Sequence, residues 1–327
     1  MTSVVAVLFA FNQEKYVRCA VRDLFCQEID GMDIILSDDA SSDDTYNIIR
    51  EEADNYTGSL NISTRRNKQN MGFNAHINEI IRTTSAEIII PFSGDDRFHP
   101  HRARRLKQAL ECSSALLAHS DVWCIDTDGA DTNRIHKKAT FYSTLDPEVA
   151  ALSDSLFIGA TAAWRRELFE KYGPLPFNDV YEDLTLGFRA ALERRIVFVP
   201  DKLVFYRVGI GASFIQSALQ SNISEIFVAH KAYLHRRREM LETHRSASKL
   251  YGMADDDRIL KIIDDEIFKL RVQIGLYTSR KDLFGLIFQR PSIAVLSGLS
   301  EINRWFRIRR RQAKRRLMTL FRELFHL

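Results

Sequence analysis

What this chain of 327 residues lacks narrows it first. Its four cysteines, Cys19, Cys26, Cys112 and Cys124, form no CxxC pair and no Cys/His ligand spacing, which excludes a cysteine-held metal or dithiol site. They read as reduced, mostly packed thiols of a cytosolic protein. No Gly-x-Gly-x-x-Gly follows the first apolar run and no GxxxxGK[ST] occurs anywhere, so dinucleotide-binding and P-loop readings lose their main support. No apolar stretch is long enough to span a bilayer; the nearest, over 283–299, is broken by Gln289-Arg290-Pro291. The first residues enter an apolar run, Val4-Val5-Ala6-Val7-Leu8-Phe9, without a basic leader, which reads as a strand rather than a signal peptide. Charge of either sign is nearly balanced, at +3 overall, too little to imply a partner by itself.

What is present supports a large core: 45% of residues are hydrophobic against 27% charged, and the length suggests about two domains. Short β-branched runs alternate with helical patterns. Strands are expected over 4–9, 33–37, 60–64 and 88–92, with helices over 14–27, from 45 onward, and from about 73 to 81. In the first helix Val17, Ala20, Val21, Leu24 and Phe25 recur at helical spacing. Ser42 or Asp43 is the expected cap of the second. Strands over 115–119, 122–125, 196–199 and 203–207 follow, with helices over 165–171 and from Glu182. Strand–helix alternation argues for a largely parallel sheet, whose ligands collect beyond the carboxyl ends of its strands. One such end is Ile88-Ile89-Ile90-Pro91-Phe92-Ser93-Gly94-Asp95-Asp96, where adjacent carboxylates repel unless a cation relieves them.

Four segments in order carry a more specific resemblance. A first strand ends in Ala10-Phe11-Asn12, and a second in Asp38-Asp39-Ala40-Ser41-Ser42-Asp43. A loop with Asn70 and Gly72 precedes a helix bearing Asn78, and Ser93-Gly94-Asp95-Asp96 runs through Pro100. Together with Phe157-Ile158-Gly159-Ala160-Thr161, Tyr181-Glu182-Asp183-Leu184 and Tyr206-Arg207, they make residues 3–213 similar to the family 2 inverting glycosyltransferases. The resemblance implies a GT-A fold: a Rossmann-like α/β architecture with a mixed, mainly parallel sheet flanked by helices. The expected units are a catalytic domain over 1–213, a helical extension over 214–300 and a basic amphipathic helix over 301–327.

The resemblance also implies roles. Ala10, Phe11, Asn12, Asp39, Asn70, Gly72 and Arg207 would bind the nucleotide of a nucleotide-sugar donor. Phe11 would stack on the base, and Asp39 would accept from an imide N–H, which favours a UDP donor. Asp95 would carry Mn²⁺ or Mg²⁺ against the diphosphate. Asp96, Gly159 and Ala160 would face the donor or acceptor sugar. Asp183 would act as general base, with Glu182 orienting beside it. A single in-line displacement would then turn an α-linked donor into a β-linked product. Two departures bear on the metal. Ser93 stands where the family has the first Asp of Asp-x-Asp, and Gly209-Ile210-Gly211-Ala212-Ser213 holds no histidine where several relatives have one. His99, His101 and His119 read as surface or core histidines.

The last stretch differs in kind. Ile302, Trp305, Phe306, Leu317, Leu320, Phe321, Leu324 and Phe325 are interleaved with Arg304, Arg307, Arg309, Arg310, Arg311, Lys314, Arg315 and Arg316. That pattern suits an interfacial helix on anionic lipid, each basic residue adding roughly 1 kcal/mol. A partner helix or homo-oligomer contact is the alternative, and nucleic acid is set aside. The resulting expectation is a cytoplasmic enzyme, peripheral on the inner membrane, that glycosylates a saccharide or lipid-linked saccharide in polysaccharide assembly. Rival readings are a nucleotidyltransferase, which would need a Gly-rich basic loop where Phe11-Asn12-Gln13 stands, and a scaffold on a degenerate transferase domain.

Overall fold

The computed structural model describes residues 2–134, 139–177, 180–209, 223–278 and 280–325, with backbone alone at 223–224, 280–282, 309 and 311–325. The chain opens with β1 (Val4–Ala10), α1 (Val17–Phe25), β2 (Met32–Asp38), α2 (Thr45–Asp54), β3 (Asn61–Arg66), α3 (Phe73–Thr83) and β4 (Ile88–Ser93). It continues through β5 (Arg97–Phe98), α4 (Arg102–Cys112), β6 (Leu117–Ile125), α5 (Pro147–Leu152), β7 (Ala163–Arg165), α6 (Glu167–Tyr172), α7 (Glu182–Leu192) and β8 (Ile196–Arg207). Four helices follow: α8 (Ile223–Tyr251), α9 (Arg258–Thr278), α10 (Arg280–Gln289) and α11 (Pro291–Phe325).

All eight strands join one mixed sheet in the order β3-β2-β1-β4-β7-β6-β8-β5. The first four are parallel, as are β6 and β8, while β7 and β5 pair antiparallel to their neighbours. Strand order reverses at β1, between β2 and β4, and such a switch point opens a crevice past the strand ends.

The sheet is covered on both faces, which explains why β1 is apolar at every position. Val4, Ala6 and Leu8 face Val17, Ala20, Val21 and Leu24 of α1 and Leu106 of α4. Val5, Val7 and Phe9 face Ile77 and Ile80 of α3 and a second core that reaches Phe188 of α7. Leu234, Met240 and Leu241 of α8 and Ile259 and Ile263 of α9 belong to that same core. Burying side chains of this size stabilises the fold by roughly 1.5–3 kcal/mol each, so α8 holds firmly against α7, and α9 against α8 and α5. His244 of α8, wholly buried, stacks on Phe188 at 4.1 Å, with its ring nitrogens 2.9 Å from the Ala151 carbonyl and 3.3 Å from that of Leu184.

Several expectations are corrected. The strands over 115–119 and 122–125 are one strand, β6, whose register shifts around Asp121; those over 196–199 and 203–207 are likewise one, β8. Ser120 pairs with Val199 and Asp121 with Lys202, so Pro200 and Asp201 bulge out, where a proline costs no ladder bond. The helix over 165–171 begins only at Glu167, after the three-residue β7. Asp44 rather than Ser42 or Asp43 precedes α2, though the Asp43 carboxylate accepts from the Thr45 amide. Cys19, Cys26 and Cys112 are exposed; Cys124 alone of the four is packed. Residues 210–222, which include Ile210 to Ser213 and the expected start of the C-terminal helices, lie outside the described residues.

Candidate active site

Beyond the carboxyl ends of β1, β2 and β4 lies a cleft of about 820 Å³. Ala10, Phe11, Asn12, Asp39, Asn70, Gly72 and Asp95 all line it, as do Gln13, Tyr16, Phe73, His76 and Ser93. Seven residues picked from four sequence segments thus line one cleft. Arg207, Asp96, Gly159, Ala160, Glu182 and Asp183 are not part of that lining.

The turn after β1 and the acidic turn after β2 are laced together. Asn12, at φ 52°, donates its amide to Ser41 Oγ at 2.9 Å and accepts the Ser42 amide at 2.8 Å. The Gln13 amide bonds Thr45 Oγ1 at 2.7 Å, and the Glu14 amide bonds Asp43 at 3.1 Å. Asp38, buried, accepts the Ser41 amide and pairs with Arg66 at 3.2 Å. The polar run 38–45 is therefore a set of turn anchors rather than a row of independent ligands.

Asp39 has a different task. Its Oδ1 accepts from Asn67 Nδ2 at 2.7 Å and the Met71 amide at 3.0 Å, and its Oδ2 from the Gly72 amide at 3.0 Å. These bonds fold the 67–72 loop over the cleft. Gly72, at φ 78°, supplies the left-handed conformation that lets α3 start there. Oδ2, with one such bond, keeps capacity for a second donor. Phe11 is 41% exposed at the cleft wall, free to meet a flat ring. His76 bonds Ser37 Oγ at 2.5 Å, and burial lowers its pKa to about 4 against the pull of Asp39, so it is neutral.

At the β4 end, burial raises the Asp95 carboxyl, opposed by the Gln13 side chain and Arg207. Asp96 is buried, and its carboxyl is raised well above the ordinary range by burial and then by the charge of Asp95. It accepts the Arg207 amide at 2.8 Å. The Arg207 guanidinium does not project into the cleft. It donates to the carbonyls of Asp95 (2.9 Å), Asp126 (2.6 Å) and Thr127 (3.0 Å), 4.5 Å beneath the Tyr16 ring. Among the described residues no group of three or more His, Cys, Asp or Glu is placed to hold a metal. One cleft-lining carboxylate, Asp95, beside the Ser93 hydroxyl, is too small a donor set for a protein cage. It is enough for a hard cation completed by substrate phosphates.

Glu182 and Asp183 open α7. Burial raises their carboxyls to about 8 and about 7, that of Glu182 further through the charge of Asp183. The Leu184 amide holds Asp183 Oδ1 at 2.7 Å. Gly159 stands against this pair: a Cβ there would lie 2.2 Å from Glu182 Oε1. The turn Gly159–Thr161 also reaches the β4 end, because Arg102 donates to the Ala160 carbonyl at 2.8 Å and is a charge neighbour of Asp96. A second tether comes from α3. Asn74 donates to the carbonyls of Pro176 (3.0 Å) and Val180 (2.8 Å), and Asn78 exchanges two 2.8 Å bonds with Leu175. The helix that follows the nucleotide-side loop thus fixes the segment leading to α7.

The sequence does not single out Gln13, Tyr16, Asn74, His76 or Arg102 as site residues. The Asn74/Asn78 spacing of four was the one available signal, since it puts both amides on one helix face. His119 is a core residue, packed between Tyr142 at 5.3 Å and Phe198 at 5.0 Å.

A switch-point sheet whose β2 and β4 end in carboxylates around one cleft, with helices on both faces, is the GT-A glycosyltransferase fold. The family model described as "Glycosyl transferase family 2" matches residues 5–173, and the chain belongs to that family. Its class of chemistry is nucleotide-sugar glycosyl transfer. The chain is 26% identical over 324 residues to uncharacterized protein Rv1520 of Mycobacterium tuberculosis, covering 96% of this chain and 87% of that protein. In fold it is similar to S. aureus TarS 1–349 in complex with UDP-GlcNAc, with 13% identity, coverage of 92% and 89%, and a TM-score of 0.57. It is also similar to the mannosyltransferase PcManGT from Pyrobaculum calidifontis in complex with GDP-Man and Mn²⁺, with 18% identity, coverage of 90% and 73%, and a TM-score of 0.50.

Proposed function

We propose that the chain transfers a sugar, with inversion, from a UDP-linked donor to a hydroxyl of a saccharide or lipid-linked saccharide. The observation that carries this reading is the shared cleft, with Asp39 at its β2 end and Asp95 at its β4 end. Asp39 Oδ2 accepts the imide N–H of uracil while Phe11 packs on the ring. The solved structures hold UDP-GlcNAc in one case and GDP-Man in the other, so the fold suits either base. With Oδ1 already accepting two bonds, the single open position on Asp39 Oδ2 matches the one imide N–H of uracil better than the adjacent donor pair of guanine.

Asp95 and Ser93 would hold Mn²⁺ or Mg²⁺ against the diphosphate, and the cation would supply charge neutralisation for the leaving group. Asp96, fixed by the Arg207 amide and the nearby Arg102, keeps Asp95 aimed at the cleft. Arg207 acts by bracing the Asp95 and Asp126 carbonyls rather than by touching phosphate. Asp183 takes the acceptor proton on Oδ2 as the hydroxyl oxygen attacks the anomeric carbon; the carbon–phosphate oxygen bond breaks, and its electron pair leaves with the diphosphate. Glu182 orients beside it, and Gly159 leaves room for both. The setting proposed is polysaccharide or glycan assembly at an anionic membrane face, approached by the basic C-terminal helix.

A donor panel assayed for released nucleotide, with and without Mn²⁺, tests this reading. UDP-sugars should turn over with Mn²⁺. Asp183→Asn should bind UDP as before and lose transfer by about a thousandfold or more. Near-normal transfer by that variant would remove Asp183 as base, and no turnover of any donor would favour a scaffold. Mn²⁺ affinity should rise at least about tenfold when UDP is added, because phosphate oxygens complete the site.

A further inference from the structure

The structure points to more than a basic tail. We infer that α11 docks on an anionic lipid surface through an apolar stripe, Val295, Leu299, Ile302 and Phe306, with arginines along one border. This deepens the membrane-facing reading proposed above and rests on it.

The four side chains are 52%, 51%, 45% and 60% exposed and follow one another at spacings of four, three and four residues. On a helix that spacing draws a single line. Exposed Arg310 and Arg307 follow one edge of it, and exposed Arg304 lies further round, on the far side of the helix. In sequence the line is interrupted at Arg309-Arg310 and resumes at Ala313, Leu317, Leu320 and Leu324.

What makes the exposure informative is the opposite face of α11. Ala294, Ser297 and Glu301 point inward and are buried. Glu301 Oε1 lies 2.8 Å from His230 Nε2 of α8 and accepts from the Tyr277 hydroxyl of α9, which in turn accepts from Trp305 Nε1. A buried carboxylate is satisfied in one rotation of the helix and stranded in any other. Glu301 therefore works as a peg: the helix cannot roll its apolar stripe onto the body of the protein without leaving that carboxylate unpaired. The stripe is held outward, available to something else.

The border names that partner. A second α11 laid parallel would set arginine against arginine, whereas an anionic lipid surface neutralises both the described arginines and the basic run that follows them in sequence. An apolar line with a basic edge is the pattern of a helix lying in the interface plane. Among the described residues no helix is long and apolar enough to cross a membrane, so the contact is with the surface.

The test compares the full chain, Ile302→Ser/Phe306→Ser, and Arg304→Gln/Arg307→Gln/Arg310→Gln. Each is sedimented with vesicles of neutral lipid alone and with one third anionic lipid, with thermal melts to check folding. All substituted side chains are exposed, so the variants should fold. The inference expects the wild-type chain to bind anionic vesicles and both variants to bind about tenfold or more weakly. If the arginine variant is weakened and the apolar variant is not, the stripe is overturned while the membrane reading stands. If the wild-type chain binds neither vesicle, both fail. If it sediments as a dimer that Ile302→Ser/Phe306→Ser dissociates, the occupant is a second copy and the inference is overturned.

Discussion

Arg102 and Ala160 are joined by a 2.8 Å bond from Nη2 to the carbonyl, and the same nitrogen reaches the Ala162 carbonyl at 3.1 Å. The guanidinium is wholly buried, 4.4 Å from the Phe92 ring, and burial lowers its pKa to about 9 against the pull of Asp96, so it remains charged. One side chain thereby connects the acidic end of β4 to the turn that faces Glu182. Lysine would keep the charge but not the flat guanidinium that lies over Phe92 while its Nη2 serves both carbonyls. Arg102→Lys should fold with a lowered melting temperature and lose kcat by about tenfold or more, with the donor KM less affected. Arg102→Met should cost about 3 kcal/mol, because Asp96 then loses its buried counter-charge. Steady-state kinetics and thermal melts check both, and a Lys variant with wild-type kcat would refute the positioning role.

Gly159 gives a second, sharper case. A methyl group there meets Glu182 Oε1, the end of a side chain that can rotate, so the backbone need not move. Gly159→Ala should therefore leave the melting temperature within a few degrees of wild type while displacing Glu182. Transfer should fall about tenfold or more. Equal losses of stability and activity would instead indicate a collapsed turn.

The acid pair at the start of α7 sets a pH dependence whose sign can be worked out. Folded, Asp183 and Glu182 titrate near 7 and 8; unfolded, both return to about 4. Between those values the folded state holds more protons, so the stability linked to this pair is fully present below about pH 4 and declines as pH rises to about 8. Asp183→Asn removes one of the two titrations. Its melting temperature should fall less steeply than wild type from about pH 5 to 8, and it should be the more stable protein at the upper end. Wild-type kcat/KM should rise with pH through neutrality as the base is deprotonated. Parallel melting curves for the two proteins would contradict the assignment.

Ala40 stands at φ 61°, a left-handed conformation that costs an alanine roughly 1–2 kcal/mol and a glycine little. Ala40→Gly should raise stability by about 0.5–1 kcal/mol after the greater freedom of glycine in the unfolded chain is counted. Chemical denaturation measures it, and a destabilised variant would mean that the Ala40 methyl makes packing contacts worth more than the strain.

Much of the cleft wall could be read from the sequence because it is built from consecutive residues at strand ends. Ala10 to Asn12, Asp39, Asn70, Gly72 and Asp95 each follow a strand whose apolar run is plain, and the switch-point topology brings them together without further help. The side of the acid pair was less legible. Gly159 meets Glu182, and Arg102 meets Ala160, across more than twenty residues of chain, and no local pattern encodes such a pairing. The carbonyl partners of Arg207 come from Asp95, Asp126 and Thr127, at least eighty residues away in the chain, so no local pattern announces them. The short β7 escaped because three residues carry no periodicity. Asp121 and Pro200 disguised β6 and β8 as broken strands because a paired bulge looks like a loop in one dimension.

His244, packed on Phe188 with a nitrogen toward the Leu184 carbonyl, makes the helices after the sheet a backing plate for the one that presents Glu182 and Asp183. Hybrids between this transferase and its relatives would therefore have to exchange α7 and α8 as a matched set. A junction drawn between them would separate the two halves of a single tool.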